Sequence, residues 1–535
     1  MEKLLSDNDI REFITNGFLR LVPDIDSNFH KLITNKIRFA VEEEGCVSNN
    51  IVSRVPELWK IIRSPCVHGA ITSLLGKNYY VHPHRAVHIS RPITDKSQIF
   101  EEDAEGLPMG NDSNASSNWH QDAHSPLARA RSHTPKYLVG FYFPQETPQE
   151  MGPTRIQAGS YLYSHPVEPS AVVLSKNVIA GTFFLLHFDT VHAAFPNRTD
   201  IDRYMIKFVF TRTQYPNKPS WYCSDIKWKK PKNCLPRYEL TPAWNYIWNW
   251  MAGRQTFCSD IKVTEDHYKK LNSNNQSERL ISIYEVAKES EIFRLGKRIE
   301  ALSGKDRDIR ELVKDEKGET IPRDKFNIGV KFDPKNHIER RWNERAIVFD
   351  DAAYALAAIG PPALKVLDHL LTHEDPWVIL NAVFALGEIG PPARSSITKI
   401  VKLLDHELQQ IVRQALDALI FIGGDLLNVL PKIQNLLRTN NPNWQESLVL
   451  RGWNGEDQVR LNAAFVLLSG IYGPTNKYDL ESTLKLCLGD KNGYVAAVST
   501  EALIRIGTPS ANQAAIAYLQ DRRWDDTLLG RKKPF

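Results

Sequence analysis

The sequence predicts an α+β N-terminal half, whose short strands form a sandwich or barrel with helices packed outside, followed by an all-α array of repeated helical hairpins. Three observations carry that prediction. Strand-like runs rich in β-branched and aromatic residues follow helical patterns within the first 225 residues. From about residue 355 a phrase built on Ala, Leu, Ile and Gly recurs along the chain. Nine of the 16 histidines (His82, His84, His88, His120, His124, His133, His165, His187, His192) crowd between residues 82 and 192, where an even spread would put about three. Such crowding raises the prospect of a metal site in the N-terminal half.

In chain order, helical patterns near 7–15, 26–44 and 56–75 precede strands at Tyr79 to Ile89, Tyr137 to Phe143, Thr154 to Gln157, Thr182 to Leu186 and Tyr204 to Thr211. Residues 226–340 begin basic and Trp-rich (Trp244, Trp248, Trp250) and turn charged at SGKDRDIRELVKDEKGET, which reads as a helical extension and a linker. The tryptophans suit packing between the two halves, with a lid or docking face as the alternative. From residue 341 the repeats take over: Ala355-Leu356-Ala357-Ala358-Ile359-Gly360-Pro361-Pro362-Ala363 returns 30 residues later as Ala385 to Ala393, then more loosely at Ala418 to Gly423 and Ala502 to Gly507. In the first two copies Gly followed by Pro ends the first helix, because Gly tolerates the left-handed cap and Pro cannot extend the ladder. These units resemble HEAT-type repeats, about five of which fit between 341 and 520, with an insertion near 439–456. The expected domains are therefore 1–225, 226–340 and 341–535, in line with about three domains for 535 residues.

Composition narrows the function classes. A net charge of +4 gives no basic footprint for nucleic acid or an anionic membrane. No apolar run approaches the roughly 18 residues of a membrane span, and MEKLLSDNDIREF lacks the apolar core of a secretory signal. The six cysteines are scattered without a C-x-x-C pair, so a reducing, cytoplasmic setting is expected.

The chemistry-bearing pattern is His120-Gln121-Asp122. In an extended segment residues i and i+2 share a face, so one imidazole and one carboxylate project together. A second His from a neighbouring strand completes a 2-His-1-carboxylate facial triad with open positions, the donor set of non-haem Fe(II) oxygenases. His192, after the strand-like run from Gly181 to Leu186, is the best third ligand. Arg203 opens the next strand and can take the distal carboxylate of a dicarboxylate co-substrate. Two other constellations compete. His187-Phe188-Asp189 is also H-x-D, with His267 as its distant partner, and His82, His84 and His88 alternate along one strand without an acidic neighbour.

Residues 118–212 resemble the phytanoyl-CoA dioxygenase family of Fe(II)/2-oxoglutarate oxygenases. The likeness rests on Trp119-His120-Gln121-Asp122, Met151-Gly152-Pro153, Ala158-Gly159-Ser160, His192, Pro196-Asn197-Arg198 and Arg203. Ala158 and Tyr161 stand where the family phrase carries Pro and His. The resemblance implies a double-stranded β-helix (jelly-roll) with flanking helices, His120, Asp122 and His192 as iron ligands, and Arg203 as the anchor of 2-oxoglutarate. It further implies that O2 and 2-oxoglutarate are consumed, that succinate and CO2 are released, and that a C–H bond of a small molecule is hydroxylated. A carboxylate at 122 implies hydroxylation rather than halogenation, because halogenating members carry a small residue there. Arg129, Arg131 and Lys136 near the site rim, and Lys207 in parity with Arg203, are candidate contacts to an anionic substrate.

The repeats leave other readings open: a protein hydroxylase whose target they recruit, or a non-catalytic scaffold with an oxygenase-like barrel. They also bear a likeness to deoxyhypusine hydroxylase, a HEAT-like di-iron family, through His373-Glu374 and His406-Glu407. Those two pairs sit at inter-helix turns, while the intrahelical slots hold Asn381-Ala382 and Gln414-Ala415, which argues against a second iron centre.

Overall fold

The computed structural model describes residues 2–45, 49–94, 121–122, 130–163, 172–174, 177–254, 261–273, 275–303, 312–314, 320–322, 349–444 and 454–521. His120 and Arg129 of the candidate site lie outside the described residues.

The N-terminal half opens with helices α1 (Asp7–Asn16), α2 (Ser27–Glu42), α3 (Ile51–Arg54), α4 (Leu58–Ile62) and α5 (Pro65–Leu75). Ser6 caps α1 in a capping box with Asp9, and Ser64 caps α5 with Pro65 at its first position. The strands are β1 (Phe18–Leu21), β2 (Tyr80–Ser90), β3 (Tyr137–Tyr142), β4 (Thr147–Pro148), β5 (Thr154–Gln157), β6 (Val172–Leu174), β7 (Asn177–Val178), β8 (Phe183–His187), β9 (His192–Ala194) and β10 (Arg203–Thr211). Five of them form an antiparallel sheet in the order β1-β8-β3-β10-β2; β6-β5-β9 make a smaller sheet and β4 pairs with β7. Every residue of β3, β8 and β10 is buried, so both faces of the large sheet are covered; β3 and most of β8 read as apolar runs rather than alternations, while β10 buries Arg203 and Lys207 among its apolar residues.

Strand β2 is an edge, and Pro83 falls where its register against β10 shifts between Phe208 and Phe210. That edge is covered by the repeats. The His82 ring stacks on Phe465 at 5.7 Å, the Tyr494 hydroxyl meets His84 Nδ1 at 2.7 Å, and Arg505 donates to the carbonyls of Asn78 and Tyr79. The strand histidines at 82 and 84 thus serve the contact between the two halves.

The extension contributes α6 (Thr241–Met251), α7 (Glu265–Leu271), α8 (Gln276–Glu285) and α9 (Ile292–Glu300). Trp248 packs against Trp221 and beneath Arg11, and Trp250 against Tyr215 and Arg212, so the tryptophans fill a core rather than form a lid. Helix α9 is tied to the first repeat by the Arg298–Asp350 ion pair at 2.7 Å. Five helical hairpins follow among the described residues, their first helices Asp351–Ile359, Pro376–Ile389, Gln409–Ile422, Gly455–Gly470 and Gly493–Ile506 stacked side by side. The repeated glycines at 360, 390, 423 and 507 end their helices with φ between +61° and +80°, as expected of glycine at a helix end. No helix among the described residues is long and apolar enough to cross a membrane.

Candidate metal and co-substrate site

The site is built on one face of the large sheet. Lys207 of β10 lies opposite Phe141 of β3, and cross-strand partners project to the same side. The Phe141 ring meets His192 at 5.0 Å, and the Lys207 ammonium pairs with Oδ1 of Asp122. Sheet register therefore gathers Asp122 and His192, 70 positions apart in sequence, around one Lys–Phe pair. Arg203, four residues before Lys207, shares its parity and lies over the Phe143 ring at 5.7 Å.

His192 and Arg203 each sit at the start of a strand, whereas Asp122 lies outside the strands, unlike the extended segment expected for it. His192 enters from β9, opposite Ile156 of β5, and is buried. Its Nδ1 donates to the Thr190 carbonyl at 2.9 Å, which sets the tautomer and leaves Nε2 as the basic nitrogen, the arrangement that metal-ligating histidines use. The Met151-Gly152-Pro153 phrase makes the turn into β5. Gly152 has φ +75°, and a Cβ there would lie 2.2 Å from the Phe195 carbonyl oxygen, so only glycine lets the two chains approach beside β9. Tyr161 donates its hydroxyl to the Ile14 carbonyl at 2.6 Å and stacks on His187 at 4.3 Å, anchoring the segment to α1. Asn197 donates to the carbonyls of Ser90 and Ile201, closing the turn into β10.

Electrostatics separates the groups. Burial pulls the Arg203 guanidinium down to about 10, and its Nε and Nη1 make no hydrogen bond. A buried, always-charged fork without an acceptor is costly and calls for an anion. An imidazole nitrogen and a carboxylate oxygen are donor types that suit Fe(II), and the buried guanidinium of Arg203 suits a carboxylate. Among the described residues no three His, Cys, Asp or Glu side chains converge as a metal cluster; His120, the third predicted ligand, is outside them.

The other sequence candidates fall elsewhere. His187 has both ring nitrogens engaged, by the Asp189 amide at 3.3 Å and the Thr134 carbonyl at 3.4 Å, and burial holds it neutral by lowering its pKa to about 3. His267 sits in α7, where Nδ1 accepts from the Thr264 amide. His373 and His406 each accept the backbone N–H two residues on, at the turns ahead of their helices. Arg131 donates to the Tyr163 carbonyl at 3.3 Å, and Lys136 is ion-paired with Glu388 of the second repeat. Ser132 and Thr134 also donate to Glu388, Tyr354 donates to the Arg131 carbonyl, and His133 stacks on Tyr354 at 4.5 Å. The segment read as a basic substrate rim is thus largely a seam between the two halves.

Sequence reasoning missed Glu388, and it weighed Asp189 only as part of the competing His187-Phe188-Asp189 ligand pattern. Glu388 had a signal, since it puts a charge into the otherwise apolar phrase Ala385 to Gly390 where the preceding copy has Ala358. Asp189 is buried, and its pKa is raised to about 6, first by burial and also by the nearby Asp122 charge, with Arg131 opposing. Gln121 donates to the Asp189 carbonyl at 2.8 Å, so Asp189 borders the segment that carries Asp122.

Comparison with known proteins gives the following. A family model of HEAT repeats matches residues 347–420. A search of curated protein sequences gives no significant match. Similar solved structures include the non-heme α-ketoglutarate-dependent carbocyclase SnoK from nogalamycin biosynthesis, at 16% identity and TM-score 0.31, covering 40% of this chain and 88% of that one. They also include EvdO2 from Micromonospora carbonacea var. aurantiaca complexed with 2-oxoglutarate, at 17% identity and TM-score 0.28, covering 40% and 94%. CytC3 with Fe(II) and α-ketoglutarate matches at 13% identity and TM-score 0.27, covering 40% and 80%.

Proposed function

We propose that the chain is an Fe(II)/2-oxoglutarate-dependent dioxygenase that hydroxylates a C–H bond of a small organic molecule. The balanced reaction takes substrate, O2 and 2-oxoglutarate to hydroxylated substrate, succinate and CO2. One observation carries the reading: Asp122 and His192 meet around the Lys207–Phe141 pair while the buried Arg203 fork stands on the same strand without an acceptor. In the same reading residues 1–225 form a jelly-roll oxygenase domain, 226–340 a connecting extension and 341–535 a HEAT-like brace, working in a reducing cytoplasm on a small molecule rather than on nucleic acid or a membrane. Bracing is favoured over recruitment of a protein target because Tyr354, Glu388, Phe465, Tyr494 and Arg505 of the repeats are engaged with the N-terminal half.

His120, Asp122 and His192 would hold the iron, which when bound with 2-oxoglutarate supplies the oxidising power of the reaction. The chain's own contributions are orientation and charge. The Thr190 carbonyl keeps the His192 proton on Nδ1. Lys207 holds one carboxylate oxygen of Asp122 and lowers the cost of burying its charge. Arg203 would receive the distal carboxylate of 2-oxoglutarate, and the buried Phe143, over whose ring its guanidinium lies, would help keep water from that contact.

Anaerobic Fe(II) titration of the full chain by calorimetry tests the ligand set. Stoichiometric binding is expected, lost in His192→Ala and Asp122→Ala and retained in Lys207→Met. Unchanged iron affinity in both alanine variants would remove the basis of the proposal.

A further inference from the structure

A cavity of about 420 Å³ lies where the loop after β10 meets the second, third and fourth repeats, a size that suits a small molecule. Asp122, His192 and Arg203 do not line it. The repeat pattern changes at this place. The first two copies end their first helices in Gly-Pro-Pro-Ala, whereas the third reads Gly423-Gly424-Asp425. Gly424 has φ +106°, which the ring of the Pro at the matching place in the earlier copies does not allow. A Cβ at Gly424 would come 3.4 Å from Nε of Arg394, so the missing side chain leaves the guanidinium room at the cavity wall. Leu426 and Val466 supply an apolar part of that wall.

The polar side chains on this lining present protons. Arg394 is exposed and makes no hydrogen bond or ion pair among the described residues. The Tyr472 hydroxyl accepts from Arg505 Nη1 at 2.9 Å, which leaves its own proton for another acceptor. The Gln214 carboxamide oxygen accepts from Asn78 Nδ2 at 2.7 Å, which leaves its NH2 group to donate. Among the described residues no carboxylate lines the space. Of the acids around it, Glu501 is paired with Arg505 and Glu388 with Lys136, while Asp425, outside the lining, accepts from the Leu427 amide at 3.0 Å and the Thr475 hydroxyl at 3.1 Å. At the carbonyl end of the third repeat's first helix, Leu419 accepts from the Gly423 amide and Ile420 from the Ser469 hydroxyl. A guanidinium, a hydroxyl and an amide with protons to give, beside an apolar wall, are the chemistry that takes an anionic group carried on a carbon skeleton.

We infer that this cavity binds a small organic anion. Arg394 pairs with the anionic group, Tyr472 and Gln214 donate to it, and the carbon skeleton lies against Leu426 and Val466. The site shares no residue with the candidate iron site, so its ligand is independent of the oxygenase reading. The repeats then carry a ligand of their own in addition to bracing the N-terminal half.

The full chain, free of iron and 2-oxoglutarate, is titrated by ligand-observed NMR with matched probes: 3-phenylpropionate, phenethyl phosphate, 2-phenylethanol and phenethylammonium. At least one anion is expected to bind about ten-fold tighter than the alcohol, as a charge-assisted contact provides, and the ammonium most weakly. Tighter binding of 3-phenylpropionate marks a carboxylate ligand and tighter binding of phenethyl phosphate a phosphate monoester; either supports the assignment. Arg394→Gln brings anion affinity to that of the alcohol, and Tyr472→Phe weakens it about three-fold. Retained alcohol binding and an unshifted melting temperature in Arg394→Gln show that the pocket is folded. Arg203→Met leaves the anion preference in place, which separates this cavity from the co-substrate site. Equal affinities, preference for the ammonium, no binding of any probe, or an anion preference that survives Arg394→Gln or disappears in Arg203→Met overturns the assignment.

Discussion

Glu388 is the residue on which the seam between the two halves turns, and replacing it has a calculable cost. Its carboxylate is 4% exposed and accepts from Ser132 Oγ at 3.1 and 3.2 Å, from Thr134 Oγ1 at 3.2 Å and from the Lys136 ammonium. Glu388→Ala leaves that ammonium, 16% exposed, without its counter-charge. Breaking a buried pair from one side costs about 3–5 kcal/mol, and the partial exposure of Lys136 places the expected loss near 3 kcal/mol. The two hydroxyls, 2.8 Å apart, can donate one to the other once the carboxylate is gone, so they add little. Replacing both partners by apolar residues removes the uncompensated charge, so Lys136→Met with Glu388→Leu is expected within about 1 kcal/mol of the parent. A double-mutant cycle built on Lys136→Met and Glu388→Leu and followed by thermal unfolding then shows a coupling energy of at least about 2 kcal/mol, because each single variant strands one charge and the double variant strands neither. At about 1–2 °C per kcal/mol for a cooperative unit of this size, the single variant melts a few degrees lower and the double variant recovers. Additive losses without recovery would refute the reasoning, because they would mean that the pair does not neutralise itself across the seam.

Three further outcomes follow from the same structure. Arg203→Met removes a buried fork without an acceptor, so it should raise the melting temperature of the ligand-free chain while weakening 2-oxoglutarate binding by 30-fold or more; a melting temperature that falls would mean that Arg203 has a structural partner. Stability should drop as pH falls below 6.5, because burial lowers His133 and His187 to about 3 and the unfolded chain takes up two protons that the folded chain refuses. Asp189, raised from 3.8 to about 6, opposes with one proton between those values, so the three groups together contribute about 1.4 kcal/mol per pH unit near pH 5. Asp189→Asn should roughly double that contribution, and an unchanged slope in pH-dependent chemical unfolding would contradict the assignment. Gly152→Ala forces a side chain to φ +75° and into the Phe195 carbonyl, so a loss of at least about 2 kcal/mol in thermal unfolding is expected, against none if the turn relaxes.

Much of this fold is legible in the sequence for identifiable reasons. Strands β3, β8 and β10 are covered on both faces, so their runs of aromatic and β-branched residues stand out, and a glycine marks the end of the first helix in four of the repeats, followed by Pro in two, because the helix must stop there. Strand β1, Phe18–Leu21, and β9, His192–Ala194, are too short to show a period of two and become strands only by pairing with β8 and β5. The site shows the same division. Parity along β10 brings Arg203 and Lys207 to one face, a local property, whereas the pairing of Lys136 with Glu388 spans 252 positions, and no local pattern announces it. A cluster of basic residues in a linear reading therefore resembles an anion site until the repeats are folded against it.

The central claim is tested most directly by measuring succinate released from 2-oxoglutarate by the iron-loaded full chain under O2, with Asp122→Ala and Arg203→Met beside it. Iron-dependent succinate formation by the parent chain, absent in Asp122→Ala and restored toward the parent rate in Arg203→Met only at much higher 2-oxoglutarate, is the expected result. Succinate formation that persists unchanged in Asp122→Ala would contradict it.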